Sequence, residues 1–198
     1  MNNQSILKAL EVPDLRHRTK LPDEWLYLAR KFPRERWAEL SAHSTAAHWL
    51  GMHEGFRLGQ RHLSDLGRAW REQKIEFERF RARFVSGLGQ YLHGMQVHHR
   101  VESTAYFPQF QAIEPRLSRG FDLLETDHHE IDRILIGLAE AGRALGAVDP
   151  DSDGARGMAE NVIGIVEGSS MPIARHLLDE EDLVIPLLKL RLTHFDST

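Results

Sequence analysis

Two stretches of the chain carry the same donor pattern 78 positions apart. One reads His98-His99-Arg-Val-Glu102-Ser-Thr-Ala-Tyr-Phe107-Pro108, the other His176-Leu-Leu-Asp-Glu180-Glu181-Asp-Leu-Val-Ile185-Pro186. Each holds His-x-x-x-Glu, an apolar residue five positions after the Glu, and then a proline. Residues four apart on a helix share a face, one turn above the other. Each copy therefore offers an imidazole and a carboxylate to the same partner. Nitrogen and oxygen donors together suit iron, manganese or zinc, and two such copies point to a two-metal site.

Two helices cannot enclose such a site alone, so further elements must carry the remaining donors. Residues 35–66 show helical spacing through Leu40, Ala46, Ala47, Trp49, Leu50, His53 and Phe56. A second pattern over 75–106 runs through Phe77, Phe80, Phe84, Leu88, Tyr91 and Met95, and is expected to stop at Pro108 and Pro115. A third runs through Leu117, Phe121, Leu124, His128, Ile131, Leu135 and Leu138 in the steps of three and four of a core-facing stripe. Residues 142–157, rich in Gly, Ala and Asp, read as a loop. A fourth helix is expected over 159–182, kinked or divided at Pro172, with 183–192 as a short apolar tail. Before these, Pro13, Pro22 and Pro33 mark an irregular arm with helical turns around residues 25–30. No alternating strand pattern stands out. The expectation is an all-α, up-down four-helix bundle over 38–192, with an N-terminal arm over 1–37 and a C-terminal tail over 193–198.

Each helix then has to choose among neighbouring histidines. His53 shares its face with Ala46, Trp49, Leu50 and Phe56, whereas His48 sits beside Ser44, Thr45 and Gly51. His128 shares the face of Leu124, Ile131 and Leu135, whereas His129 has Glu125, Asp132 and Arg133 as neighbours. His98 makes the four-residue step to Glu102 that is repeated at His176 and Glu180; His99 makes a three-residue step, and Glu181 competes with Glu180. One buried histidine is ordinarily a hydrogen-bonded core residue. Four core-facing imidazoles and two carboxylates are another matter, because a dry core holds them only at a high desolvation cost unless something compensates. Metal ions are the natural compensation.

The bulk numbers narrow the rest. The 198 residues suffice for one domain with a real core, and 41% hydrophobic with 27% charged residues is ordinary for a globular chain. A net charge of −4 implies no general affinity for nucleic acid or an anionic membrane. The alternating charges of 71–83 read as a solvated helix face. With no cysteine, disulfides, thiolate metal sites and cysteine catalysis are excluded together. The N-terminus lacks a signal peptide's apolar core and no apolar run reaches membrane-spanning length, so a cytoplasmic protein is expected. No phosphate-loop or serine-nucleophile motif is present. A ferritin-like carboxylate bundle needs Glu-x-x-His on two helices, and only Glu125-x-x-His128 occurs in the expected core.

The order His53, His98 with Glu102, His128, and His176 with Glu180 resembles the haemerythrin-like (HHE cation-binding) family, as do the Phe107-Pro108 and Ile185-Pro186 endings. The resemblance covers about residues 38–192 and leaves the arm unexplained. It implies a four-helix bundle with a non-haem centre of two iron ions, with manganese or zinc as substitutes in recombinant material. In that reading Glu102 and Glu180 bridge the ions, and His53, His98, His128 and His176 are terminal ligands. A fifth donor could be His129, Glu125, Tyr106 or His99. The implied activity is binding of, or reaction with, dioxygen or a related small molecule. Alternatives are an oxidase or peroxidase-type enzyme on the same centre, or an iron or oxygen sensor acting through a separate partner.

Overall fold

The computed structural model describes residue 8 and residues 11–195, with side chains described up to residue 190. Among the described residues there are helices and turns and no strand. The fold class is an all-α helical bundle, as the spacing predicts. The arm contributes α1 (Tyr27–Lys31) and a 3₁₀ turn (Arg34–Glu39). The long elements are α2 (Thr45–Arg71), α3 (Phe77–Val101), α5 (Ser118–Ala147) and α6 (Ala155–Phe195). Between α3 and α5 lie a π-helical turn (Glu102–Tyr106), the short α4 (Phe107–Ile113) and a 3₁₀ turn (Pro115–Leu117).

Local chemistry explains several boundaries. The first long helix starts later than expected because Leu40 is extended (ψ 136°), and the Ser44 hydroxyl accepts the Ala47 N–H at 3.1 Å as an N-cap. At its other end Gln73 takes a left-handed conformation (φ 56°). There the Gln73 and Lys74 N–H groups bond the Trp70 and Ala69 carbonyls, each at 2.9 Å, the double bond of a Schellman stop. The expected loop shrinks to 148–154, since α5 runs to Ala147 and α6 starts at Ala155.

Prolines end less than expected. Pro108 does not stop its helix: the chain passes from α3 through the wider π turn into α4, with Pro108 in the first turn of α4. A π turn absorbs one extra residue, which relieves the clash between a proline ring and the preceding turn. Pro172 and Pro186 both lie inside α6, and the expected apolar tail is its continuation. Leu183, Val184, Ile185, Leu187 and Leu188 are all buried there. At about 1.5–3 kcal/mol per buried aliphatic side chain, their burial outweighs the roughly 3 kcal/mol that an interior proline costs.

The chain forms two compact units, and the four long helices contribute to both. The first comprises residues up to Glu54, Arg100–His129, and everything from Pro172 on. It takes the N-terminal end of α2, the end of α3 with the π turn, the N-terminal part of α5 and the C-terminal part of α6. Starts and ends of successive long helices alternate within it. Its core joins Val12, Leu21, Trp25 and Leu28 of the arm to Trp49, Phe107, Phe110, Phe121 and Leu183–Leu188. The second unit, Gly55–His99 with Glu130–Met171, is filled by Phe80, Phe84, Leu88, Met95, Ile131, Leu135, Val162 and Ile163. Among the described residues no helix is long and apolar enough to cross a membrane.

Candidate metal centre

All four long helices supply donors to the buried polar places of the fold. In the first unit α2 contributes His53, the π turn Glu102, α5 His128, and α6 His176 and Glu180; all five are buried. His53, Glu102 and Glu180 each offer one donor atom within 4.8 Å of the others, and His128 and His176 do the same. The carboxylate of Glu180 faces two imidazoles at once: Oε1 is 3.1 Å from His53 Nε2, and Oε2 is 3.3 Å from His176 Nε2. Trp49 Nε1–H donates to Glu180 Oε1 at 2.5 Å and holds it in place. Glu102 Oε2 lies 3.4 Å from His128 Nε2.

Behind these atoms the other ring nitrogens also meet polar groups. His53 Nδ1 is 3.0 Å from Glu181 Oε1, and His176 Nδ1 is 3.5 Å from Asp127 Oδ2. His128 Nδ1 lies 3.1 Å from the Ser103 hydroxyl, which donates to Glu125 at 2.7 Å. Phe107 stacks on the His128 ring at 5.4 Å, and Trp49 meets Tyr106 edge to face at 4.9 Å. Aromatic rings thus exclude water from one side of the donors.

Burial and mutual charge shape the electrostatics. Burial drives the Glu102 carboxyl well above its usual range, and the neighbouring Glu180 drives it further. Burial works against charge on His176, yet Asp127 and Glu180 overcome it and raise the imidazole to about 9. His53 is raised in the same way by Glu180 and Glu181 against its burial. His128 is lowered, by burial and by the His176 charge. Two crowded carboxylates and several imidazoles that must share protons are a donor set suited to a cation. Nitrogen and carboxylate donors fit a borderline first-row metal.

The remaining histidines are placed as follows. His48 and His129 are exposed. His98 and His99 are both buried, near the C-terminal end of α3 in the second unit. There His98 lies 5.0 Å from the Phe56 ring, and His99 Nδ1 lies 4.0 Å from Asp132. The same continuous helix reaches Glu102 one turn after His98. Glu181 is buried as fully as Glu180, but its oxygens are engaged by His53 Nδ1 and by Arg34 Nη1 at 2.8 Å.

Sequence reasoning did not single out Asp127, Trp49 as a partner of Glu180, or the arginines of the arm. Asp127 left a signal: its three- and four-spaced neighbours include Leu123, Leu124 and Ile131, an apolar setting for a carboxylate. Arg18 and Arg34 left none, because the arm has no periodicity to read.

Comparison with curated proteins and with solved structures gave no match. The family model of the Hemerythrin HHE cation binding domain matches residues 44–188, which span every donor described above. The chain belongs to the hemerythrin HHE cation-binding family, and its buried His/Glu groups could hold a metal cation.

Proposed function

We propose that the chain holds two iron ions at a carboxylate-bridged centre and binds or reacts there with dioxygen or a related small molecule. Glu102 and Glu180 are the bridges. His53, His128 and His176 are terminal ligands, joined by His98, which lies one turn before Glu102 on the same helix. The observation that carries this reading is Glu180, whose two oxygens each face a different imidazole Nε2, at 3.1 and 3.3 Å. A carboxylate so placed can serve two cations and not just one. A pair of iron ions supplies two electrons for a small oxidant. The chain's own part is to fix and shield the donors. Trp49 holds Glu180, Ser103 contacts His128 from behind, and Phe107 covers the His128 ring.

A second reading is a di-iron oxidase or peroxidase-type enzyme. Glu125, 3.6 Å from His128 Nδ1, favours it by adding a third carboxylate beside the donors. Carboxylate-rich surroundings suit oxygen activation, and imidazole-rich ones suit reversible binding. The test is anaerobic reconstitution with Fe(II), metal analysis, and visible absorption on exposure to air. About two irons per chain and a charge-transfer band that disappears on deoxygenation support the binding reading. Irreversible oxidation with turnover of a reductant supports the enzyme. A well-loaded chain with one metal overturns the dinuclear centre.

A further inference from the structure

The N-terminal arm lies before the matched family segment, yet it places two arginines against the donor groups. Arg18 is wholly buried and forks between Asp127 and Asp179, the latter at 2.7 Å. Asp127 in turn faces His176 Nδ1. Arg34 spreads over three acceptors at 2.8 Å each: Glu181 Oε2, Asp182 Oδ1 and the Leu178 carbonyl. Glu181 in turn faces His53 Nδ1 at 3.0 Å. The two relays are alike. Each runs from an arm arginine to a carboxylate, to the Nδ1 of an imidazole, and each imidazole presents Nε2 to an opposite oxygen of Glu180.

We propose that Arg18 and Arg34 are positioning residues for metal binding, which fix His176 and His53 through Asp127 and Glu181. This rests on the dinuclear reading above. A carboxylate oxygen beside an arginine and an imidazole accepts hydrogen bonds from both. It therefore keeps the imidazole proton on Nδ1 and leaves the Nε2 lone pair free to bind a cation, with the ring angle fixed. The arm thus acts as a clasp: undocking it releases both carboxylates, and with them the orientation of both rings. Trp37, which stacks under the Arg34 guanidinium at 4.5 Å, keeps that fork flat against α6.

The test is titration of the chelator-stripped full chain with Zn(II), a diamagnetic probe, read both as affinity and as the imidazole N–H proton signals. Removing Arg18 would leave Asp127 buried without its guanidinium, while Asp179 keeps Arg175 at 2.6 Å, so the main variants are Arg34→Gln and Glu181→Gln; Arg34 is more than one-third exposed. Each is expected to weaken Zn(II) binding by about 10–100-fold and to abolish the slowly exchanging His53 Nδ1–H signal. The double variant should bind like Glu181→Gln alone, since Arg34 acts through Glu181. Wild-type affinity in Arg34→Gln, or losses that multiply in the double variant, would overturn the Arg34 relay. An Arg18→Lys chain that binds as tightly as wild type would overturn the Arg18 relay. A wild-type chain that takes up no Zn(II) would overturn the metal centre itself, and the relays with it.

Discussion

Glu180 and Glu181 are adjacent, equally buried carboxylates with different work to do. Glu180 turns both oxygens toward imidazole Nε2 atoms, while Glu181 is spent on His53 Nδ1 and Arg34. Glu180→Ala or Glu102→Ala should therefore bring metal content below the about two ions per chain of a bridged site. Glu181→Ala should weaken affinity yet still fill at saturating metal, and His48→Ala and His129→Ala should bind as wild type. Metal analysis of the five variants checks this. The sequence alone left Glu180 and Glu181 in competition because both step acceptably from His176; only the direction each side chain points separates them. Proton uptake gives a second residue-scale prediction. His176 in the metal-free fold is raised to about 9, held up by Asp127 and Glu180 against burial. A raised folded value gives stability that is complete below the unfolded value near 6.5 and is lost as pH climbs through about 9. Glu102, also raised, pulls in the same direction. His128 is lowered and acts oppositely, but below pH 6.5. The metal-free protein should thus lose thermal stability between pH 6.5 and 9, and the metal-loaded protein should lose less. Melting curves of both forms across that range decide; parallel slopes would contradict it.

At the scale of elements, the four long helices were legible because their apolar stripes repeat in threes and fours over many turns. Their ends were less so. Pro108 reads as a stop and residues 183–192 as a separate tail, since a sequence does not display the π turn that accommodates the proline or the row of buried aliphatics that carries α6 onward. Helix contacts within the second unit give a paired prediction about glycines. At Gly67 of α2 an added Cβ would meet three atoms of Ile163 at 2.9–3.2 Å, and a β-branched side chain in a core has little room to turn aside. At Gly89 of α3 it would meet nothing within 4 Å. Alanine gains about 1 kcal/mol over glycine in helix propensity, so Gly89→Ala should stabilise by up to about that amount. Gly67→Ala adds an overpacking cost of about 1–3 kcal/mol and should destabilise. Denaturant midpoints of the two variants should move in opposite directions.

For the whole molecule, most buried ionisable groups belong to the first unit, beside its aliphatic and aromatic core, while the second unit buries His98 and His99. Such a polar interior makes metal a partner in folding. Bound metal at a thousandfold excess over Kd adds about 4 kcal/mol, which at roughly 2–4 °C per kcal/mol raises the Tm by about 10 °C. Matched stripped and loaded samples test this, and identical melting would return the histidines to an ordinary structural role. Arg18 belongs to the same scale. Its loss leaves Asp127 buried without a guanidinium, while Asp179 keeps Arg175, so Arg18→Gln should cost about 3–5 kcal/mol in urea unfolding. None of this was readable in the arm, where prolines and charges mask a residue whose partners lie far along the chain. That distance also orders events on the ribosome. Arg18 meets Asp127 across 109 positions and Asp179 across 161. At about 5–20 residues per second, the arm waits roughly ten to thirty seconds for its last partner to be made. His176 and Glu180 are made only shortly before then, so the full donor set is complete only near the end of synthesis, and a chain cut short before His176 lacks the donors of α6.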